Sequence, residues 1–175
     1  MTYIKLVITG PFNAGKTAFI ETVNEIRGVN TDVASSSAER HVKPNTTVAM
    51  DFGRITLPDG VTIHLVGTPG QERFAFMWET LVLECDGILL LVDSSDPASL
   101  GEAGKMLDFF SRQAQGIPIF IVANKQDRPG ALQPDEIRQH LRLKTKPLSC
   151  VASNRASVIA TLQHVAPYLI DSALS

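Results

Sequence analysis

The chain is poor in the features that would take it out of the ordinary globular class. Its 175 residues include only two cysteines, Cys85 and Cys150. Both lie in apolar surroundings beside expected strands, so buried thiols of a reducing compartment are expected rather than a disulfide. His41, His64, His140 and His164 show no metal-ligand spacing with those cysteines, which argues against a zinc site. Neither sign of charge dominates: 16 Lys and Arg stand against 18 Asp and Glu, a net charge of −2. That balance gives no basic surface for nucleic acid. No apolar run is long enough to span a bilayer, and the opening residues lack a basic leader followed by an apolar core. The ends carry no lipid-anchor motif, with Thr2 at the second position and no cysteine among the last four residues. Repeats and low-complexity tracts are absent too. With 44% hydrophobic and 19% charged residues, a single folded domain over 1–175 is expected, cytoplasmic and without staples.

What is present is an alternation of strand and helix patterns. Residues 3–8 read as a buried strand, and Phe19, Ile20, Val23 and Ile26 mark one face of a helix. Residues 27–45 are polar, Ser-rich and without period, a long connection of the kind that tends to be functional. Residues 47–57 alternate, Pro58-Asp59-Gly60 signals a turn, and Val61, Ile63 and Leu65 resume the alternation, which predicts a hairpin and an antiparallel edge. The runs 87–92 and 117–123 are continuously apolar, as central strands covered on both faces are. Ser95-Asp96-Pro97 predicts a cap and first-turn proline for a helix burying Leu100, Ala103, Leu107, Phe110 and Ala114. Pro134-Asp135-Glu136 starts a short helix, 147–152 reads as a last strand, and Val158, Leu162, Val165 and Leu169 line a final helix. The expected fold is α/β: a three-layer sandwich around a mostly parallel sheet of about six strands with one antiparallel edge strand, and about five helices.

Gly10-Pro11-Phe12-Asn13-Ala14-Gly15-Lys16-Thr17 is a complete G-x-x-x-x-G-K-[ST] phosphate loop, and it stands between a strand and a helix. Backbone N–H groups of such a loop wrap phosphates, Lys16 reaches the outer ones, and the Thr17 hydroxyl ligates Mg²⁺. The base is chosen elsewhere. Asn124-Lys125-Gln126-Asp127 follows the strand 117–123, and an Asp beneath a base accepts from both N1–H and the exocyclic amine of guanine. Adenine lacks that donor pair. Asn124 would tie loops together, and the Lys125 stem would lie on the face of the base.

With Gly67-Thr68-Pro69-Gly70-Gln71-Glu72-Arg73-Phe74, these runs resemble the Ras-like small GTPases in order and spacing from Tyr3 to about Ile170. Ala14-Gly15-Lys16-Thr17 and Asp93-Ser94-Ser95-Asp96 look closest to the Arf-like branch. Thr47-Val48-Ala49-Met50-Asp51-Phe52 and Gln71-Glu72-Arg73-Phe74 look closer to the Rab branch. The mixture, without lipid signals, is similar to soluble prokaryotic members. The resemblance implies a P-loop NTPase fold and a GTPase switch that binds GTP or GDP with Mg²⁺. It places Gly10, Asn13, Ala14, Gly15, Lys16, Thr17 and Ala18 on the phosphates, with Lys16 and Gln71 catalytic and Gln71 orienting the attacking water. Thr47 would join Thr17 on Mg²⁺ (Thr46 leaves that register open by one), and Gly70 would sense the γ-phosphate. Asn124, Lys125 and Asp127 would hold the base, with backbone N–H groups of Val151 and Ala152 approaching its carbonyl. The nucleotide-sensitive loops would be about 27–47 and 67–78. Effector, activator and exchange-factor partners are implied, with the protein a monomer or weak dimer.

Two departures from the family pattern stand out. The D-x-x-G run is Gly67-x-x-Gly70 here, so the carboxylate that holds a Mg²⁺-bound water is missing; Asp51 and Asp93 are the candidates to replace it. Some relatives resembling the gliding-motility GTPases lack it too. Phe12 is bulky where the Ras branch is small, which would crowd a partner's arginine finger; Arg40 and Arg54 are candidate cis arginines. Both departures leave open a second reading, a nucleotide-locked scaffold subunit that hydrolyses little. A small ATPase is a third reading, opposed by Asp127. Trp78, with Phe74, Phe76 and Met77, is either the core face of a helix or a patch for an effector.

Overall fold

The computed structural model describes residues 3–26, 50–69 and 75–174. Its six strands are β1 (Tyr3–Thr9), β2 (Phe52–Thr56), β3 (Thr62–Gly67), β4 (Gly87–Asp93), β5 (Ile119–Asn124) and β6 (Leu148–Ser149). The helices are α1 (Lys16–Val23), α2 (Ala75–Val82), α3 (Leu100–Gln113), α4 (Pro134–Leu141) and α5 (Arg155–Ala173). The strands form one sheet in the order β2-β3-β1-β4-β5-β6. Only β2 runs antiparallel to its neighbour, pairing Phe52 with Val66 and Thr56 with Thr62 across the Pro58-Asp59-Gly60 turn. Gly60 takes φ +88°, and its N–H closes the turn on the Leu57 carbonyl. The expected architecture is present.

Strand alternation sorts side chains onto two faces, and each face has its own core. Ile4, Leu6 and Ile8 of β1, with Leu89, Leu91 and Val122, pack against Phe19, Ile20 and Val23 of α1 and Val158, Leu162, Val165 and Leu169 of α5. On the other face Val7, Ile88, Leu90 and Val92 meet Trp78 of α2, Met106 and Phe110 of α3, and Ile137 of α4. Every residue of β4 is buried, which is why its sequence is apolar without alternation. Each fully buried Leu or Ile contributes about 1.5–3 kcal/mol, so the centre of the sheet carries much of the driving force. No described helix is long and apolar enough to cross a membrane.

The differences from expectation are local and have identifiable causes. Helix α1 stops at Val23, before Ile26. There the Asn24 side-chain oxygen accepts from Ile26 N–H at 3.1 Å and Arg54 N–H at 3.0 Å, tying the chain to the outer edge of β2. Glu25 continues that tie by donating its N–H to the Arg54 carbonyl at 2.9 Å. In β2 the buried set is Gly53, Ile55 and Leu57, leaving Phe52 exposed. Pro97 opens a short 3-10 turn, Pro97–Ser99, and α3 proper begins only at Leu100. Within α3, Met106 is fully buried where Leu107 was expected to be, and Leu107 is half-buried. Strand β6 is only two residues long; beyond it Cys150 still donates to the Ala123 carbonyl at 3.0 Å before the chain turns away. Cys85 and Cys150 are both free and buried.

Candidate functional site

The C-terminal ends of β1, β4 and β5 deliver the loops that carry the motif residues, where ligands bind in open parallel sheets. Between β1 and α1 the backbone takes φ values of +146° at Gly10, +65° at Asn13 and +103° at Gly15. A Cβ at Gly10 would strike the Leu91 carbonyl oxygen of β4, and one at Gly15 would strike the Asn124 side chain. The glycines therefore let the loop close onto two neighbours at once. Ala18 sits exposed in the first turn of α1, whose N-terminal N–H groups have no intrahelical acceptor.

Lys16 Nζ donates to the carbonyls of Gly10 at 2.7 Å and Pro11 at 2.9 Å. Burial lowers its pKa to about 8, against the partial support of the Glu102 and Asp51 charges. A phosphate arriving at this ammonium raises the lysine pKa again. Nucleotide association should then take up a proton above about pH 8, and observed affinity should fall about tenfold per pH unit beyond it. Without ligand the sign is opposite. Between about 8 and the ordinary 10.5 the unfolded chain holds a proton that the folded chain lacks, so stability should rise through that window. Calorimetric titrations and urea midpoints at pH 7, 8 and 9 check both halves. A flat affinity would remove Lys16 from the phosphate contact.

The base side is tied to the phosphate side by buried hydrogen bonds. Asn124 donates Nδ2–H to the Ala14 carbonyl at 2.8 Å and accepts from Ala152 N–H at 2.9 Å through Oδ1. One side chain thus joins the phosphate loop, the end of β5 and the turn after β6. Lys125, at φ +63°, donates Nζ–H to the Asn13 carbonyl at 2.7 Å and pairs with Asp93 Oδ2 at 2.7 Å. Burial opposes the charged form of Asp93, but hydrogen bonds from Lys125 and Ser95 outweigh it and hold its pKa below the usual range. Gln126 Nε2–H bonds the Ser94 hydroxyl and the Leu132 carbonyl, leaving Asp127 exposed at the rim.

The two N–H groups expected near a base carbonyl are both engaged. Ala152 N–H is held by Asn124 in a buried bond, whereas Val151 N–H donates to the Ser157 hydroxyl at 2.9 Å. A hydroxyl that can rotate away makes Val151 the more available of the pair. Ser157, and Asp93 as the anchor of Lys125, were not singled out for these roles from the sequence. The Asp93-Ser94-Ser95-Asp96 run after an apolar strand was the legible signal for the second.

On the metal side, Thr17 Oγ1–H donates to Asp51 Oδ2 at 2.6 Å. Thr46, Thr47, Gly70, Gln71, Arg40 and Phe74 lie outside the described residues. Phe12 is 62% exposed. Trp78 divides from its expected partner Phe76: its indole donates to the Pro69 carbonyl at 2.9 Å and its ring packs on Phe109 and Phe110, whereas Phe76 is 67% exposed. Trp78 is core, and Phe76 is one of several exposed aromatic residues, with Tyr3, Phe12, Phe52 and Tyr168.

Comparison with known proteins agrees with this geometry. The ADP-ribosylation factor family matches the chain over residues 2–167. ADP-ribosylation factor-like protein 3 of Saccharomyces cerevisiae is 31% identical over 136 residues, covering 77% of this chain and 65% of that protein. Mouse ADP-ribosylation factor-like protein 4D is 33% identical over 108 residues, covering 61% and 48% respectively. ADP-ribosylation factor-like protein 8b of Arabidopsis thaliana is 31% identical over 144 residues, covering 81% and 71%. The chain thus spans about half to two thirds of the length of the first of these relatives. Among solved structures, the Arl6 BBS3 small GTPase from Trypanosoma brucei with bound nucleotide analogue GppNp superposes with a TM-score of 0.76 at 20% identity. That match covers 98% of this chain and 99% of the other, and it shows a shared fold.

Proposed function

Because the chain belongs to the ADP-ribosylation factor family, we propose that residues 1–175 form one guanine-nucleotide-binding domain that hydrolyses GTP and works as a switch. The observation that carries the reading is the Asn124 side chain, which bonds Ala14 of the phosphate loop and Ala152 of the base side together. A site that must hold base and phosphates at a fixed separation needs such a tie. In this reading Gly10, Asn13, Ala14, Gly15, Lys16, Thr17 and Ala18 take the phosphates. Asn124, Lys125, Asp127, Val151 and Ala152 take the base.

Mg²⁺ suits the hard oxygen donors gathered at the start of α1, where the Thr17 hydroxyl already faces a carboxylate. Thr17 and Thr47 would hold it, and when bound it neutralises charge on the outer phosphates. Thr47 and Gly70 would respond to the γ-phosphate, and Gln71 would orient the attacking water. The loops about 27–47 and 67–78 would order with triphosphate and relax after hydrolysis. Signalling partners would read that order beside exposed Phe52 and Phe76. We place the protein in the cytoplasm, as a monomer or weak dimer. The mixed Rab-like and Arf-like runs favour a prokaryotic-type member.

Single-turnover hydrolysis of preloaded GTP in excess Mg²⁺, beside Gln71→Leu, tests the switch. A rate on the order of 10⁻⁴ s⁻¹ or faster, lowered in Gln71→Leu, is the expected result. Firmly bound GTP with no turnover would favour the locked scaffold, to which the Gly67 departure points.

A further inference from the structure

Asp51 and Gly67 are side by side at the open end of the β2–β3 ribbon, although the sequence separates them by a turn and two strands. Gly67 donates its N–H to the Asp51 carbonyl at 2.8 Å. The Asp51 carboxylate accepts the Thr17 hydroxyl proton at 2.6 Å. The geometry points to Asp51 as the carboxylate that positions the metal side of the nucleotide site, occupying in space the place of the acid that Gly67 removes from the family's D-x-x-G run. The inference rests on the guanine-nucleotide reading above and adds a residue to it.

A hydroxyl ligates a cation through an oxygen lone pair, which leaves its proton for a second acceptor. The bond from Thr17 to Asp51 commits that proton to the carboxylate and leaves the oxygen lone pairs for a cation. The second carboxylate oxygen of Asp51 would then accept from a water on the cation. Mg²⁺ gives up its waters reluctantly and is bound through one or two carboxylates plus phosphates. Asp51 also supports the Lys16 ammonium electrostatically, so one carboxylate serves both cations of the site.

Asp51 already fills the space beside position 67. A Cβ at Gly67 would lie 3.2 Å from Asp51 Cβ and 3.0 Å from Ile20 Cδ1, so a side chain there would require Asp51 or Ile20 to shift by a few tenths of an ångström. Asp93, the other acid considered, is paired with Lys125 and Ser95 on the far side of the phosphate loop.

The test is release of bound methylanthraniloyl-GDP across a Mg²⁺ titration, for the intact protein, Asp51→Asn and the double variant Asp51→Gly/Gly67→Asp. The asparagine keeps an oxygen for Thr17 but removes the charge. Its Mg²⁺ half-point for slowing release should rise about 10- to 100-fold, the usual effect of losing a residue that supports a metal ligand. In EDTA the two proteins should differ far less than in limiting Mg²⁺, only by the support Asp51 lends Lys16, which a merely structural defect would not allow. The double variant should regain the intact half-point. An unchanged half-point in Asp51→Asn, equal acceleration in Mg²⁺ and EDTA, or a double variant left at the Asp51→Asn value would each overturn the proposal. An intact protein that retains no labelled GDP would overturn the nucleotide reading itself, a result distinct from all three.

Discussion

Replacing Asp127 by Asn should move base preference from guanine to xanthine by about 10²- to 10⁴-fold, since two hydrogen bonds to a charged group are worth about 1.5–3 kcal/mol each. In the proposed site the carboxylate would accept from N1–H and from the exocyclic amine. An amide keeps one acceptor for N1–H and offers a donor to the oxo group that xanthine carries instead. The exchange needs a loop that does not move, and its neighbours supply one. Lys125 is anchored on Asn13 and Asp93, Gln126 on Ser94 and Leu132, and Arg128 N–H closes on the Lys125 carbonyl at 3.1 Å. Asp127 itself is exposed, so fold stability should barely change. Competition of labelled GDP by GDP and by xanthosine diphosphate measures the ratio. An unaltered ratio would mean that the base is chosen elsewhere.

Asn124→Ala should weaken both binding and the fold. Asn124 is 1% exposed, and its truncation leaves the Ala14 carbonyl and the Ala152 N–H without their partners. Each unsatisfied buried group costs about 1–3 kcal/mol. The urea midpoint should therefore fall with an unchanged slope, since the loss is in the folded state. Nucleotide affinity should fall further than stability, because the phosphate loop and the base side lose their common anchor. A variant with intact stability and lost affinity would show that water repairs the gap and that Asn124 acts mainly on the ligand.

Much of the fold was legible because the physics that made it is local. Gly87 to Asp93 is apolar because both faces are covered, and the Val158, Leu162, Val165 and Leu169 stripe is a helix period. The phosphate loop is legible for the same reason: the loop needs its glycines at fixed places whatever surrounds it. What was illegible depends on contacts between distant segments. Nothing in the run around Asp51 says that its carboxylate meets Thr17, 34 residues away. Periodicity did not foresee that the chain would turn away from the sheet after Cys150 so that Ala152 could reach Asn124. Phe76 and Trp78 show the same limit. Two aromatic residues on one short helix went to opposite fates, decided by Pro69, Phe109 and Phe110 rather than by their own spacing.

The burial of β4 also bears on how the chain is made. On a ribosome, β1 through β4 emerge in order, but the far edge of β4 pairs with β5, as Ile88 does with Ile119. Synthesis of all of α3 separates the two strands. During that interval an apolar, Leu-rich strand holds one open edge and lacks α3, α4 and α5, which complete the cover of its two faces, a combination that invites association between nascent copies. Slower translation across 94–118, or a longer wait before β5 appears, would lengthen that exposure. The folded protein and its unfinished form thus have opposite solubility hazards from the same seven residues.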